Sequence, residues 1–358
     1  RHQRRDIRGG AGRRAAKGAC GAPRTGVMVR RPIDHGPKAR LRAGRSRRGS
    51  CSLTVLTPGQ TPLRRRRAAV RLVLAALIAG SFALPAVATP RILVDAETGA
   101  VLYAEDAAAS WHPASLTKMM TAHLALTAIE AGRASLDTPV VMSALAASQP
   151  PSKLGLKVGE QLRLEDALRI MLVHSTNDLA VAIAETLGGG SEDRFVQAMN
   201  AEAVRLRMDA TYFVNANGLH DERQVTTARD MAVLAISIQR GHPRYLDMFN
   251  APAVTVDGKR LKNTNPLIGK YPGIDGMKTG YVCASGFNLV ATAARGGRHL
   301  VAVVFGAPSG KARGDQAAAL LDNGFAGLKP TAQLGDFFRP FPVRAMDLRK
   351  FACGKALD

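Results

Sequence analysis

A serine and a lysine three residues apart, Ser115 and Lys118, are the pair in this 358-residue chain best suited to nucleophilic chemistry. On a helix, that spacing places both side chains on one face and within reach of each other. The lysine can take the proton of the serine hydroxyl only while its amine is neutral, which burial and nearby positive charge favour by lowering its pKa. An isolated pair of this kind is more often a solvent-facing coincidence, so it needs support from the rest of the chain.

Two further polar groups supply that support. Ser175–Asn177 (Ser-Thr-Asn) falls between two helical stretches, and Lys278–Gly280 (Lys-Thr-Gly) falls on a predicted strand. Taken singly, the first group is typical of helix caps and the second of an edge strand entering a turn. Each of the three patterns occurs once, however, and they follow one another on a helix, an inter-helix loop and a strand.

The elements that must position these groups are indicated by periodicity and turn residues. Two β-hairpins are predicted, around Glu97-Thr98-Gly99 and around Asp257-Gly258. The predicted strands are 91–95, 101–104, 254–256, 260–261, 278–281, 287–293 and 299–305. The predicted helices are one that begins at Pro113 and those over 165–173, 179–187, 192–206 and 316–328. This order predicts an α/β (α+β) fold in which both termini complete one mixed antiparallel sheet, with a helical region inserted.

The charge of the chain is concentrated at its N-terminus. The formal net charge is +22, of which residues 1–88 carry +19, so the remainder is close to neutral at +3. Because only 5% of the residues are aromatic and the remainder is nearly neutral, a basic face that binds nucleic acid is disfavoured.

A basic run followed by an apolar run precedes the predicted fold. Arg64–Arg67 leads into apolar residues 72–80 and then into a small-residue site that ends at Ala88. This order predicts a secretory signal peptide cleaved near Ala88, and hence an exported, periplasmic protein. The alternative, a retained membrane anchor, requires about 20 apolar residues, more than the run provides.

The chain therefore divides into four predicted parts. These are a disordered or mis-assigned leader over 1–62, the signal peptide over 63–88, one catalytic domain over 89–330 and a short tail over 331–358. Pro340 and Pro342 interrupt the tail and disfavour an amphipathic anchor helix, so no stable membrane anchor is predicted in the mature chain.

Cys283 and Cys353 are the two cysteines that follow the signal peptide, and an oxidising compartment favours a disulfide between them. Two separate buried thiols are the alternative. The six histidines of the predicted domain show no His-x-x-x-His pairing, so neither a metal nor another cofactor is predicted.

The three patterns, in this order, resemble those of penicillin-binding proteins and serine β-lactamases. Over about residues 91–328 the chain is more specifically similar to the low-molecular-mass D-alanyl-D-alanine carboxypeptidases, through segments 113–121, 175–180, 217–220 and 276–280. The resemblance implies a penicillin-recognising fold and a serine carboxypeptidase that removes the terminal D-alanine from peptidoglycan pentapeptides. It also implies inhibition by β-lactam antibiotics and a part in peptidoglycan maturation and cell-shape control.

The resemblance implies a role for each catalytic residue. Ser115 would attack the carbonyl between the two D-alanines and form an acyl-enzyme, while Lys118 takes its proton. Ser175 would relay a proton to the departing D-alanine, Asn177 would hold the substrate amide, and Lys278 would supply positive charge to this network.

For substrate binding, the resemblance implies that the peptide lies as an added strand along Thr279, Gly280 and Tyr281. The N–H groups of Ser115 and Tyr281 would form the oxyanion hole. Arg313 is the candidate for binding the terminal carboxylate, because its guanidinium matches that group. The alternative for Arg313 is a solvated charge before the last helix.

Three other functions share these residues. One class of β-lactamase deacylates with a Glu-x-x-x-Asn pattern after the second motif, and no acid between Arg205 and Glu222 begins that pattern. An endopeptidase that cuts cross-links after D-alanine stays open as an alternative. A non-catalytic module that only binds penicillin or muropeptide is disfavoured by the intact Ser115 and Lys118.

Overall fold

A six-stranded antiparallel sheet organises the chain. The structure, a computed structural model, describes residues 89–337 and 343–353, so the predicted leader (1–62) and signal peptide (63–88) lie outside the described residues. The strands of the sheet are β1 (Arg91–Asp95), β2 (Ala100–Glu105), β7 (Ile274–Val282), β8 (Gly286–Arg295), β9 (Arg298–Ala307) and β10 (Ala332–Gln333). Their order is β10-β2-β1-β9-β8-β7, and every neighbouring pair is antiparallel.

Helices and two small sheets lie between β2 and β7 in the sequence. The helices are α1 (Lys118–Glu130), α2 (Ala144–Ser148), α3 (Leu164–His174), α4 (Asn177–Leu187), α5 (Glu192–Arg205), α6 (Ala228–Gly241) and α7 (Asp247–Asn250). The small sheets pair β3 (Pro139–Val141) with β4 (Gln161–Arg163), and β5 (Ala253–Val256) with β6 (Lys259–Lys262). Helices α8 (Gly310–Phe325) and α9 (Arg349–Ala352) follow, and 3-10 turns occupy Ala114–Thr117, Pro243–Tyr245 and Leu334–Asp336.

Both faces of the large sheet are covered. Alternate residues of a strand point to opposite faces, so Ile92 and Val94 of β1 join the core shared with the helical region, whereas Leu93 joins the core beneath α8. Because both faces are buried, β9 reads as a nearly continuous apolar run over Leu300–Phe305. None of the helices within 89–337 and 343–353 has the length and apolar character that crossing a membrane requires.

The structure confirms the predicted architecture and several of its turns. β1 and β2 pair across Gly99, whose φ is +70°. β5 and β6 pair across Asp257 and Gly258, with φ values of 48° and 74°, the conformation of a tight hairpin turn. The predicted break after α3 is also present, because Ser175 adopts the left-handed conformation that ends that helix.

Several elements differ from the sequence-based prediction, which also lacks the short elements α2, α7, α9, β3 and β4. The helix predicted over 316–328 is α8, which begins six residues earlier, where the Ser309 hydroxyl accepts a hydrogen bond from Ala312 N at 3.0 Å. Helix α6 was not predicted at all. Beyond residue 330, β10 pairs with β2 through Ala332 and Val101, so the sheet continues into the segment predicted as a tail.

Candidate active site

Ser115 lies in the short 3-10 turn that precedes α1. Its neighbours Leu116 and Thr117 are fully buried, whereas Ser115 is half-buried. Ala114, directly before it, has a φ of +49°, a conformation that costs a non-glycine residue roughly 1 kcal/mol or more. The surrounding packing therefore holds the chain in a strained conformation immediately before the serine.

Two glycines allow neighbouring segments to approach this turn. A Cβ on Gly280, in β7, would lie 2.8 Å from Pro113 O and 3.1 Å from Ser115 N. A Cβ on Gly218 would lie 1.9 Å from Ala114 O, and the φ of Gly218 is +87°. Only glycine permits this packing of backbone against backbone, which places both segments beside the backbone of Ser115.

The amine of Lys118 makes three hydrogen bonds in a fully buried position. Its Nζ lies 2.8 Å from Ser115 Oγ, 2.8 Å from Asn177 Oδ1 and 2.5 Å from Asn217 O, and the side chain is 0% exposed. Burial, followed by the charge of Lys278, lowers the pKa of Lys118 well below its usual value, while Asp178 opposes the shift.

These contacts define how a neutral Lys118 would be oriented. A neutral amine keeps two N–H donors and one lone pair, and the carbonyl oxygen of Asn217 and the amide oxygen of Asn177 can only accept. When these two acceptors take both donors, the lone pair points at Ser115 Oγ, 2.8 Å away. The arrangement therefore suits the removal of a proton from Ser115.

Asn177 is fixed by contacts outside this trio. Its Nδ2 donates to Pro150 O at 3.0 Å, which orients the amide oxygen toward Lys118. The neighbouring Asp178 is fully buried and accepts from the backbone N–H groups of Leu154, Gly155 and Leu179. The loop between α2 and β4 and the start of α4 are thus joined by hydrogen bonds around the site.

Ser175 stands two residues before Asn177, at the junction of α3 and α4. It is half-buried, its φ is 64°, and its backbone N donates to Met171 O at 3.0 Å. The sequence-predicted Ser-Thr-Asn group is therefore located at a helix junction, and its asparagine is in direct contact with Lys118.

Lys278 and Thr279 lie on β7, the strand at one end of the large sheet. Lys278 is 1% exposed and its Nζ donates to Thr279 O at 3.1 Å. Burial and, to a smaller extent, the charge of Arg313 lower the pKa of Lys278 to about 7. The Thr279 hydroxyl lies 2.7 Å from the Thr264 hydroxyl.

Arg313 is in the first turn of α8 and is buried, so the structure contradicts its interpretation as a solvated charge before the helix. Its guanidinium donates to Gly280 O at 3.1 Å, Asn288 O at 3.3 Å and Thr264 O at 3.2 Å. It also lies over the ring of Phe287, and burial lowers its pKa to about 10. Through these hydrogen bonds Arg313 links β7 to β8 and to the segment that contains Thr264.

Cys283 and Cys353 form a disulfide, with their Cα atoms 5.6 Å apart. Tyr281, two residues earlier on β7, is 40% exposed, and its hydroxyl lies 3.1 Å from Cys353 Sγ. The ring of Tyr281 also packs on Phe287 at 4.2 Å between centroids. The segment that contains Cys353 is thereby held at the end of the strand that carries Lys278.

Two contacts of the site were not predicted. The backbone carbonyl of Asn217 accepts a hydrogen bond from Lys118, and residue type does not indicate which backbone carbonyls take part in a site. Asn288 is fully buried and donates to His112 O and Pro113 O, which ties β8 to the segment before Ser115. An asparagine inside an apolar strand run was the available signal for the second contact.

Among the described residues, no group of three or more His, Cys, Asp and Glu side chains is arranged to hold a metal ion. The chemistry that the site can support is that of a serine nucleophile beside a buried amine, next to a sheet edge with two buried positive groups, Lys278 and Arg313.

Comparison with known proteins identifies the family of the chain. Residues 83–309 match the family model described as D-alanyl-D-alanine carboxypeptidase. The chain belongs to this family. The predicted resemblance and the predicted penicillin-recognising fold are both confirmed.

Several curated relatives of the chain are D-alanyl-D-alanine carboxypeptidases. DacD of Salmonella typhimurium is 38% identical over 240 residues, 65% of this chain, and DacF of Bacillus subtilis is 37% identical over 242 residues, 66% of this chain. The chain spans 61% of the length of each of these two relatives. DacB2 of Mycobacterium tuberculosis is 33% identical over 267 residues, which are 72% of this chain and 89% of that protein.

Solved structures agree with this assignment. Penicillin binding protein 6B from Escherichia coli is 37% identical, with a TM-score of 0.63 over 66% of this chain and 77% of that chain. Penicillin-binding protein D2 from Listeria monocytogenes, in its cefotaxime-bound form, is 32% identical, with a TM-score of 0.61 over 66% of this chain and 97% of that chain.

Proposed function

We propose that this protein is a serine D-alanyl-D-alanine carboxypeptidase that removes the terminal D-alanine from peptidoglycan pentapeptides and takes part in peptidoglycan maturation and cell-shape control. Family membership supports this function. The observation that carries it is the set of hydrogen bonds around the Lys118 amine, which aims its lone pair at Ser115 Oγ from 2.8 Å.

The proposed reaction begins with Ser115. Its Oγ bonds to the carbonyl carbon of the penultimate D-alanine while its proton passes to Lys118 Nζ. The N–H groups of Ser115 and Tyr281 stabilise the oxyanion. The C–N bond then breaks, and the departing amine receives a proton through Ser175. Water finally attacks the ester, which frees the Ser115 hydroxyl and releases the shortened peptide with a new carboxylate.

The substrate is proposed to bind along β7. This strand is at the end of the sheet order, and within the described residues it pairs only with β8. A peptide can therefore add to its other edge through backbone hydrogen bonds, close to Ser115 because Gly280 has no side chain. Asn177 would hold the substrate amide, and Thr279 would line the same edge.

The terminal carboxylate is proposed to lie toward Lys278 and Arg313, the two buried positive groups at this part of β7. A carboxylate near Lys278 would favour its charged form and raise its pKa from about 7. Arg313 would reach the carboxylate by exchanging one of its three carbonyl contacts, for example the contact with Thr264 O.

Wild-type protein and a Ser115→Ala variant test the proposal. Both are incubated with a pentapeptide that ends in D-Ala-D-Ala, and released D-alanine is measured. Ser148→Ala is the matched control, because Ser148 is exposed and its hydroxyl bonds only locally, to Leu145 O. We expect release from wild type and Ser148→Ala and none from Ser115→Ala. Equal release by all three proteins, or release by none, would overturn the proposal.

Penicillin separates this function from that of a β-lactamase. We expect benzylpenicillin to form an adduct on Ser115 that is visible by intact mass and persists for many times the acylation time. Rapid hydrolysis of penicillin with no lasting adduct would instead make the protein a β-lactamase.

We also propose that the protein acts in the periplasm after the signal peptide is removed near Ala88. The Cys283–Cys353 disulfide supports this location, because such bonds persist in oxidising compartments. N-terminal sequencing of the protein recovered from the periplasmic fraction should begin close to Thr89. Recovery of the uncleaved chain from the cytoplasm would contradict the proposal.

A further inference from the structure

The segment 343–353 is fastened at the end of β7 by three kinds of contact. The disulfide joins its last residue to Cys283, directly after β7. Leu348 N donates to Ala284 O at 2.9 Å, and Leu348 and Ala345 are buried at 6% and 5% exposure. A covalent bond, a backbone hydrogen bond and two buried apolar side chains therefore hold this segment on the turn between β7 and β8.

The same segment reaches the loop that follows Asn217. Arg344 lies 3.6 Å from Glu222, and the charges of Asp347 and Arg349 both act on His112, which is buried directly before Pro113. His112 packs edge-on against His220 at 4.8 Å between ring centroids. Segment 343–353 thus stands near two of the elements that surround Ser115.

A shallow cleft lies between these elements, next to the nucleophile. Its lining includes Ala114 and Gly218, which lie beside Ser115, and also His112, His220, Gln224 and Val282, the last residue of β7. The cleft therefore connects the nucleophile turn with the end of β7.

The direction in which the substrate lies along β7 determines which of its residues is close to this cleft. If the terminal carboxylate lies toward Lys278, the peptide must extend from the scissile carbonyl in the opposite direction, toward Val282 and Cys283. Each residue of an extended chain advances about 3.3 Å. With the scissile carbonyl held at the Tyr281 N–H, the residue that precedes the two D-alanines lies opposite Val282 and Cys283, where segment 343–353 is attached.

We infer that segment 343–353 forms one wall of the subsite for the stem-peptide residue that precedes D-Ala-D-Ala, and that the Cys283–Cys353 disulfide keeps this wall in place. This inference rests on the proposed function. The wall presents large apolar side chains to solvent: Tyr281 is 40% exposed beside it, and Met346 and Phe351 are 46% and 73% exposed within it. Such a surface suits the aliphatic part of a long amino-acid side chain.

The test compares two substrates that differ only in whether they reach the wall. N-acetyl-D-Ala-D-Ala ends before the subsite, whereas a pentapeptide with a diamino acid at the third position occupies it. For each protein we would measure kcat/KM with both substrates and take the ratio of pentapeptide to dipeptide. In Cys353→Ser we expect this ratio to fall at least ten-fold.

Two single-residue variants keep the test decisive if Cys353→Ser folds poorly. Phe351→Ala leaves the disulfide intact and should lower the ratio about three-fold. Val204→Ala is the matched control, since Val204 is 72% exposed on α5 and belongs to no part of this cleft. We expect it to retain the wild-type ratio.

The outcomes are distinct from those of the proposed function. If wild type releases D-alanine from neither substrate, the proposed function itself fails. Two results with an active wild type would show that the inference is wrong. Either Cys353→Ser and Phe351→Ala keep the wild-type ratio, or they lose activity on both substrates in parallel. In both cases segment 343–353 stabilises the fold and does not contact the substrate.

Discussion

Replacing Lys278 with methionine should stabilise the folded protein while it impairs the site. Lys278 is 1% exposed, and burial together with the charge of Arg313 lowers its pKa from 10.5 to about 7. An unfolded chain returns this amine to water, where its ordinary pKa applies. The folded state therefore disfavours a charge that the unfolded state accepts freely. Methionine fills the space of the apolar stem without that charge.

The size and sign of the effect follow from the two pKa values. Because the folded pKa is depressed, the unfolded chain binds more protons between pH 7 and pH 10.5, and stability rises with pH across this window. One pKa unit corresponds to about 1.4 kcal/mol, so the cost of the charged, buried Lys278 at pH 6 is about 4–5 kcal/mol. Raising the pH from 6 to 9 should relieve about 2–3 kcal/mol of this cost.

Urea unfolding at pH 6 and pH 9 measures this difference. We expect Lys278→Met to exceed wild type in free energy of unfolding at pH 6, and the excess to shrink by about 2–3 kcal/mol at pH 9. Lys259→Met is the matched control, because Lys259 is exposed on β6, and it should follow wild type within about 0.5 kcal/mol at both pH values. Comparison with wild type at each pH cancels the contribution of titrating groups that do not interact with Lys278. An excess that is absent at pH 6, or equal at both pH values, would refute the reasoning.

Three further predictions concern neighbouring groups. Gly280→Ala places a Cβ 2.8 Å from Pro113 O, so it should slow acylation of Ser115 by labelled penicillin at least ten-fold, whereas Gly335→Ala, which meets nothing within 4 Å, should not. Asn177→Asp puts an anion 2.8 Å from Lys118 Nζ, which raises the pKa of Lys118 and should move the acid limb of the acylation pH–rate profile to higher pH. Burial alone would raise the pKa of Glu202, but hydrogen bonds from Arg205 and His123 lower it to about 2. This carboxylate therefore stabilises the fold above pH 4.5, by about 1–2 kcal/mol after solvent screening. In urea unfolding, the difference in free energy of unfolding between wild type and Glu202→Gln should become smaller as the pH falls from 6 to 3. A difference that stays constant with pH would contradict this prediction.

Local patterns were enough to predict the elements that carry the motifs. The Asp257-Gly258 turn and the break at Ser175 each rest on a few adjacent residues, because both need a left-handed backbone conformation that local sequence governs. The resemblance carried by the three motifs implied that Ser115, Lys118 and Asn177 share one site, and Ser115 Oγ and Asn177 Oδ1 each lie 2.8 Å from Lys118 Nζ.

The features that sequence did not predict depend on contacts between distant segments. For Arg313, the sequence left a carboxylate-binding residue and a solvated charge as alternatives, because the partners that bury it are three backbone carbonyls, which no residue type reveals. The start of α8 was misplaced because Gly310 and Gly314 have low helix propensity, although Gly314 packs closely against Pro266. The position of segment 343–353 depends on a disulfide that spans 70 residues.

The two lysines of the site are equally buried, and burial lowers the pKa of both. The charge of Lys278 lowers the pKa of Lys118 further, and the charge of Arg313 does the same for Lys278. The lowered pKa favours a neutral amine beside Ser115, and a substrate carboxylate placed near Lys278 would favour the charged form of the amine on β7. The serine nucleophile needs a neutral amine and a carboxylate substrate needs a charged one. The charge of Lys278 assists both, because it lowers the pKa of Lys118 and would attract the carboxylate. The cost in folding stability that Lys278→Met should reveal follows from the burial of Lys278 and from the charge of Arg313.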